Sequence, residues 1–175
     1  NVFQGGFLGM DNIGAFDRGK LPPGYLLGQA DGTSWMAAFA KNLATIALML
    51  AKRNPVYEDV ASKFWEHYIH VANAINNVRD PVRSLWNEED GFFYDHLFSR
   101  EEEPVPLRAR TMVGFVPLFG AATVPADTSE RYPDFKRRRD WFIANRPDLV
   151  ESVGPMVVPG PKGNLVLGFV RPDQL

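Results

Sequence analysis

Apolar residues recur every three or four positions in two long stretches of the chain. In the first, Trp35, Phe39, Leu43, Ile46 and Leu50 fall on one face of a helix that opens after Asp31. In the second, Val60, Phe64, Tyr68, Val71 and Ile75 form the equivalent stripe. Asn54-Pro55 separates the two: Pro55 suits the first position of a new helix, and Glu58 and Asp59 suit the positive end of its dipole. A link this short predicts a helical hairpin.

Beyond Asp80-Pro81 the period changes. Glu88-Glu89-Asp90-Gly91 reads as a turn before Phe92-Phe93-Tyr94-Asp95, an aromatic run with strand preference, and Val105 to Arg110 is placed to pair back on it as a hairpin. A third helix is expected from about Thr111 to Ala122, weakened by Gly114 and Pro117, and a fourth from Pro133 to Asn145 carrying Phe135, Trp141 and Phe142. Pro147 and the Pro155 to Lys162 segment predict a loop-rich tail, ending in an apolar run, Leu165 to Val170, that wants a partner. Helical hairpins of this kind can stack so that loops at one end gather into a pocket.

Composition narrows the function classes. The 175 residues are 45% hydrophobic and 13% aromatic, a globular composition that supports a sizeable core. A net charge of -2 provides no field for nucleic acid or an anionic membrane, and the one basic run, Lys136 to Arg139, lies inside a helical pattern. Cysteine is absent, which excludes disulfides, thiolate metal sites and cysteine nucleophiles and fits a reducing cytoplasm. No uninterrupted apolar run reaches the roughly 18 residues of a membrane span. The chain enters at Asn1 directly into a structured-looking motif, and is read as a piece of something longer.

That motif is Gly5-Gly6-Phe7-Leu8-Gly9-Met10-Asp11-Asn12-Ile13-Gly14, a carboxylate among glycines and apolar residues where neither helix nor strand periodicity fits. An aspartate in such surroundings has its pKa raised by desolvation, as a general acid working near neutral pH requires; it is equally an aspartate that caps the following turn. Asp17 and Arg18 can bind hydroxyl groups of a polar ligand or pair on the surface. Gln29, Asp31 and Trp35 combine a carboxamide, a carboxylate and an indole, a set that binds sugar hydroxyls and stacks on a pyranose face, although Asp31 also suits a helix cap. Glu88, Glu89, Asp90 and Asp95 supply oxygens suited to calcium but lack the spacing of a calcium loop, so a solvated turn is preferred and no metal is assigned. His67, His70 and His96 form no ligand set by spacing. No nucleophile elbow and no phosphate-binding glycine loop occurs.

Gly9-Met10-Asp11-Asn12, followed by Phe16-Asp17, resembles the Gly-(Met/Trp)-Asp-Asn segment that carries the general acid of glycoside hydrolase family 63, with a looser likeness to trehalases. Gln29 to Ala37, Asn54 to Asp59 and Trp86 to Asp95 are similar to successive blocks of its bacterial branch of glucosidase-like and mannosylglycerate hydrolase-like enzymes, and the likeness runs from residue 3 to about residue 146. The resemblance implies an all-α fold, a partial (α/α)6 toroid of helical hairpins with a short β-hairpin insertion, in which residues 1–175 form the N-terminal part of one catalytic domain. It implies hydrolysis of an α-glucosidic or related α-glycosidic bond with inversion. Asp11 would protonate the leaving oxygen, and Asp17, Arg18, Gln29, Asp31, Trp35 and Asp95 would contact an oligosaccharide or glycoside, without a cofactor. Trp86, Phe92, Phe93 and Tyr94 would wall the pocket.

Inversion also needs a second carboxylate about 6.5 to 9.5 Å away to activate water. No matching block occurs before Leu175, so the remainder of the same domain is the expected partner and the piece alone is expected to be inactive. The resembled enzymes often carry arginine four residues after the acid, and here that position is Ala15. A non-catalytic helical module that binds carbohydrate or protein is the alternative reading.

Overall fold

The structure, a computed structural model, describes residues 2–4, 18, 20–153, 163–171 and 174. Among the described residues the first elements are strand β1 (Leu26–Gly28), helix α1 (Ala30–Ala51) and helix α2 (Tyr57–Asn76). After a 3-10 turn at Pro81–Arg83 come four short strands: β2 (Trp86–Asn87), β3 (Phe92–Phe93), β4 (His96–Phe98) and β5 (Val105–Pro106). A 3-10 helix (Met112–Gly120) leads to β6 (Ala122–Val124), then to α3 (Thr128–Arg131), α4 (Pro133–Asn145), α5 (Pro147–Val150) and β7 (Leu165–Leu167).

The expected all-α partial toroid is corrected by this arrangement. The structure is about 52% helical and 13% strand, with three separate sheets among the described residues in a mixed α and β fold. One sheet orders β1-β4-β5, a second pairs β2 with β3, and a third pairs β6 with β7, all antiparallel. Between Trp86 and Val124, short aromatic and β-branched runs broken by Gly and Pro form five short strands and a 3-10 helix, where one strand hairpin and an α-helix were expected.

The hairpin expected first is present. α1 and α2 pack together, the link holds Asn54-Pro55, and α2 closes on Asn77 in the left-handed region at φ 38, where asparagine is tolerated. The face of α1 turned inward differs from the expected one. Ala37, Ala40, Ala44, Ala47 and Ala51 are buried, whereas Phe39, Leu43, Ile46 and Leu50 are exposed. In α2 the buried face runs through Ala61, Trp65, Tyr68, Ile69, Ala72 and Ile75, so the expected stripe is one position out for half its length. Small residues on facing surfaces let the two helix axes approach closely.

The other strand expectations need adjustment. Phe92–Phe93 pairs with Trp86–Asn87 across the Glu88 to Gly91 turn, and Val105–Pro106 pairs with β4 instead. Gly91 supplies φ +59 at that turn. The third helix is 3-10 because Pro117 lies inside it, and Gly114 leaves room where a Cβ would lie 2.6 Å from the Phe93 carbonyl oxygen and run into the Phe92 ring. The fourth helix forms as expected from Pro133 to Asn145, with Phe135 and Phe142 buried and Trp141 exposed. The terminal apolar run finds its partner in β6.

The core lies between α2, α4 and the strands. Trp65 meets Phe142 edge-on at 5.4 Å, Tyr68 meets Phe169 at 6.0 Å, and Tyr68 donates its hydroxyl hydrogen to the Gly120 carbonyl at 3.0 Å. Burial pushes the Tyr68 phenol far up, so it stays a donor. Asn76 ties the end of α2 to the tail by donating to the Ser152 and Phe169 carbonyls at 2.8 and 2.6 Å.

Candidate functional site

The start of α1 gathers polar groups that are apart in sequence. Gln29 occupies the N-cap position in an extended conformation and makes no side-chain cap bond; its N–H donates to the Phe3 carbonyl at 3.0 Å. Phe3 N–H donates to Thr33 Oγ1 at 2.9 Å, and the hydroxyls of Thr33 and Ser34 donate back to the carbonyls of Gln29 and Ala30. Residue 4 forms a β-bridge with Gly28. The N-terminal residues are therefore sewn to the first turn of the helix.

Arg18 lies in the same place. Its guanidinium forks between two carboxylates, Nη1 to Asp31 Oδ2 at 2.9 Å and Nη2 to Asp95 Oδ2 at 2.7 Å. Asp95 Oδ1 accepts the Ala30 N–H at 2.8 Å, so a residue 65 positions away supplies the carboxylate that caps α1. Asp31 Oδ1 accepts from Gly32 N–H at 2.7 Å. Arg18, Gln29, Asp31, Thr33 and Ser34 are buried, and Asp95 nearly so.

Two opposing effects set the electrostatics. Burial alone would lower the Arg18 pKa, but the hydrogen bond and charge of Asp31 and those of Asp95 outweigh it and hold the guanidinium above its usual range. Burial pushes the Asp95 carboxyl above the usual carboxylate range, opposed by the Ala30 N–H and Arg18 and assisted by the negative charge of Asp31. Close by, His96 is buried and its pKa falls through desolvation; its Nδ1 lies 3.2 Å from the Tyr94 carbonyl oxygen, which only accepts, so that nitrogen carries hydrogen.

The structure thus brings together Arg18, Asp31 and Asp95, with Gln29 adjoining them. Trp35 lies one turn along, half-buried, its ring 5.6 Å from Phe119. Asp11 and Asp17 lie outside the described residues. Of the acidic cluster, Asp95 turns inward while the others meet guanidinium groups: Glu89 with Arg108 at 2.9 Å, Asp90 with Arg110 at 3.4 Å, Glu88 with Arg171 at 3.5 Å. Among the described residues, no three carboxylate or imidazole groups converge to hold a metal. Of the aromatic wall, Phe93 and Tyr94 are buried, and Trp86 packs edge-on against Phe93 at 4.9 Å.

Two features escaped the sequence reading. Glu58 acts away from its own helix: its carboxylate accepts the backbone N–H groups of Asp134 and Phe135 at 2.8 and 2.9 Å, capping α4 across the core. A cleft of about 1120 Å³ opens beside Gln4, with Tyr25 and Phe98 as aromatic surfaces and Asn73, Asn77, Arg83 and Glu102 as polar ones. Tyr25 donates its hydroxyl to Glu102 at 2.7 Å there. Neither carries a local motif, because the cap depends on how α2 and α4 pack and the cleft on segments far apart in sequence, which spacing does not reveal.

Among known proteins, no family profile matches the chain and no solved structure matches it. An uncharacterized protein of Saccharomyces cerevisiae, YMR196W, is 41% identical over 188 aligned residues, which cover all of this chain and 17% of that protein. The chain thus spans about a sixth of the length of the curated relative it matches.

Proposed function

We propose that this chain is part of a glycoside hydrolase that cleaves an α-glucosidic or related α-glycosidic bond with inversion, with Asp11 as the general acid. The observation that carries the reading is the convergence of Arg18, Asp31 and Asp95 at the head of α1. These are three of the positions that the glycosidase resemblance singles out, and the separations of 13 and 77 residues give no local reason for them to meet.

A general acid must be held in register with the bond it protonates. Gln4 is bridged to Gly28 and Arg18 is clamped to Asp31, so the residues on either side of the Asp11 segment are both fixed within four residues of one another on the β1 to α1 connection. Arg18, Asp31 and Asp95 then serve as positioning residues for that segment, since both carboxylates and the two terminal guanidinium nitrogens engage one another or backbone N–H groups. The cleft beside Gln4 receives the glycoside, with Tyr25 and Phe98 against sugar faces and the carboxamides and Arg83 toward hydroxyls. The water-activating carboxylate comes from the remainder of the longer polypeptide.

The test is Asp11→Asn in the complete natural polypeptide. Turnover of an α-glycoside with a poor leaving group should fall by about 10² to 10⁴-fold while calorimetric sugar binding persists. Proton NMR of the wild-type reaction should show the inverted anomer first. Near-normal turnover in the variant removes Asp11 from the role, and retention removes the mechanism.

A further inference from the structure

The outer face of α1 is apolar and bare. Phe39, Ile46 and Met49 are 56%, 51% and 61% exposed, Leu43 and Leu50 lie on the same stripe, and the spacing follows the helical repeat over about three turns. The one charge between Trp35 and Leu50 is Lys41, whose ammonium turns aside to the carbonyls of Phe119 and Ala121 at 3.4 and 3.2 Å. The 3-10 helix that packs beside α1 also exposes Phe115, Leu118 and Phe119, the last with its ring 5.6 Å from Trp35 of α1. A soluble chain rarely leaves a continuous apolar surface of this extent in water.

We infer that this face is an internal interface, covered by an apolar helical layer contributed by the same polypeptide outside residues 1–175. Three observations lead there. The matching yeast protein aligns with the whole of this chain yet uses only 17% of its own length to do so, which leaves ample polypeptide to supply the layer. The exposed side chains form a ridge at three- and four-residue spacing, the relief into which another helix interdigitates. Helix α1 already buries its alanines on α2, so it is apolar on both flanks, the pattern of a helix between two layers.

Length and composition would also let α1 cross a membrane. Its neighbour α2 opposes that occupant: Asp59, Lys63 and His67 are exposed along it, and hydrocarbon that took up α1 lengthwise would take up those groups as well.

The test places the photo-reactive p-benzoylphenylalanine at position 39 of the complete natural polypeptide, irradiates it, and maps the cross-linked peptides by mass spectrometry. The expected product is a link to a peptide of the same chain outside residues 1–175, at monomer mass. A link between two copies, a link to lipid, or a natural polypeptide that ends with these residues overturns the inference. Because the benzophenone could disturb folding, a second measurement compares maleimide labelling of Ile46→Cys with that of Lys63→Cys in the native protein. Labelling at least about tenfold slower at position 46 supports a covered face, and equal rates overturn it. Both readouts are free of sugar chemistry, so they succeed or fail independently of the glycosidase reading.

Discussion

Helix α1 is built in two opposed ways along its length. Its first turn buries polar groups, with Asp31, Thr33, Ser34 and neighbouring Gln29 hidden from solvent, while the turns from Phe39 to Leu50 put large apolar side chains outside and alanines inside. The two halves solve different problems. At the head, each buried polar atom costs free energy unless a partner is aimed at it, so the geometry is specified by Arg18, Asp95 and the Ala30 N–H. Along the flank, alanines specify only closeness to α2, and the large side chains await a surface that these residues do not supply. On the inference drawn above, polar burial marks where the fold is finished, and apolar exposure marks where it is not.

The sharpest way to break the contrast is at the head. Arg18→Ala leaves the Asp31 and Asp95 carboxylates facing each other with no cation between them, and should lower stability by about 3–5 kcal/mol in chemical denaturation. Asp95→Asn keeps an oxygen for the Ala30 N–H and should cost less. A loss below 1 kcal/mol for Arg18→Ala would mean that the network does not organise the head.

On the inner flank the expected loss is smaller and steric. Ala37→Leu adds three heavy atoms where Ala37 is fully buried, and should cost about 1–3 kcal/mol. A neutral result would show that α1 and α2 have room to spare, which the run of alanines argues against.

This inner flank is also where the sequence misled. The stripe of Trp35, Phe39, Leu43, Ile46 and Leu50 correctly marked a helix, since periodicity reports the element, but it was the wrong guide to which side faces α2. Hydrophobicity ranks leucine above alanine, whereas close packing of two helices selects the smaller residue. The hairpin, the turn at Glu88 to Gly91 and helix α4 were legible because each has a local cause in Pro, Gly or spacing. The sheets were not, because β1 with β4 and β6 with β7 join residues about 70 and 43 positions apart, a pairing no window of sequence contains. Those strands turned an expected all-α toroid into a mixed fold. At the site, Arg18, Asp31 and Asp95 were all legible as residues of interest, but their contact with each other was not, and neither was the Glu58 cap on α4.

A titration separates the halves in a third way, since only the head carries buried ionisable groups. His96 pairs in register with Gly28 and has its pKa lowered by burial. As pH falls through the ordinary histidine value near 6.5, the unfolded chain takes up a proton that the folded chain still refuses, so stability present above that pH declines below it. The decline stops only when folded His96 itself protonates. Asp95, held above the ordinary carboxylate range, works in the opposite sense at lower pH: its folded form keeps a proton that the unfolded chain has lost, so its contribution grows as the pH falls through that range. Subtracting the pH dependence of His96→Gln from that of the parent chain isolates the histidine slope. An unchanged profile in the variant would show that another group sets it.

The smallest effect belongs to the outer flank, and its smallness is the informative part. Ile46→Gln replaces an apolar side chain that is 51% exposed, so in residues 1–175 alone it should change stability by no more than about 0.5 kcal/mol. In the complete polypeptide the same substitution would push a carboxamide into an apolar contact and should cost about 1–3 kcal/mol. The head should behave otherwise: Arg18→Ala removes the charge between Asp31 and Asp95, both of which lie within these residues, and its cost should be the same in both contexts. Equal, small losses for Ile46→Gln in both contexts would leave the flank a plain solvent surface, and the opposition between the two halves of α1 would then say nothing about what lies beyond them.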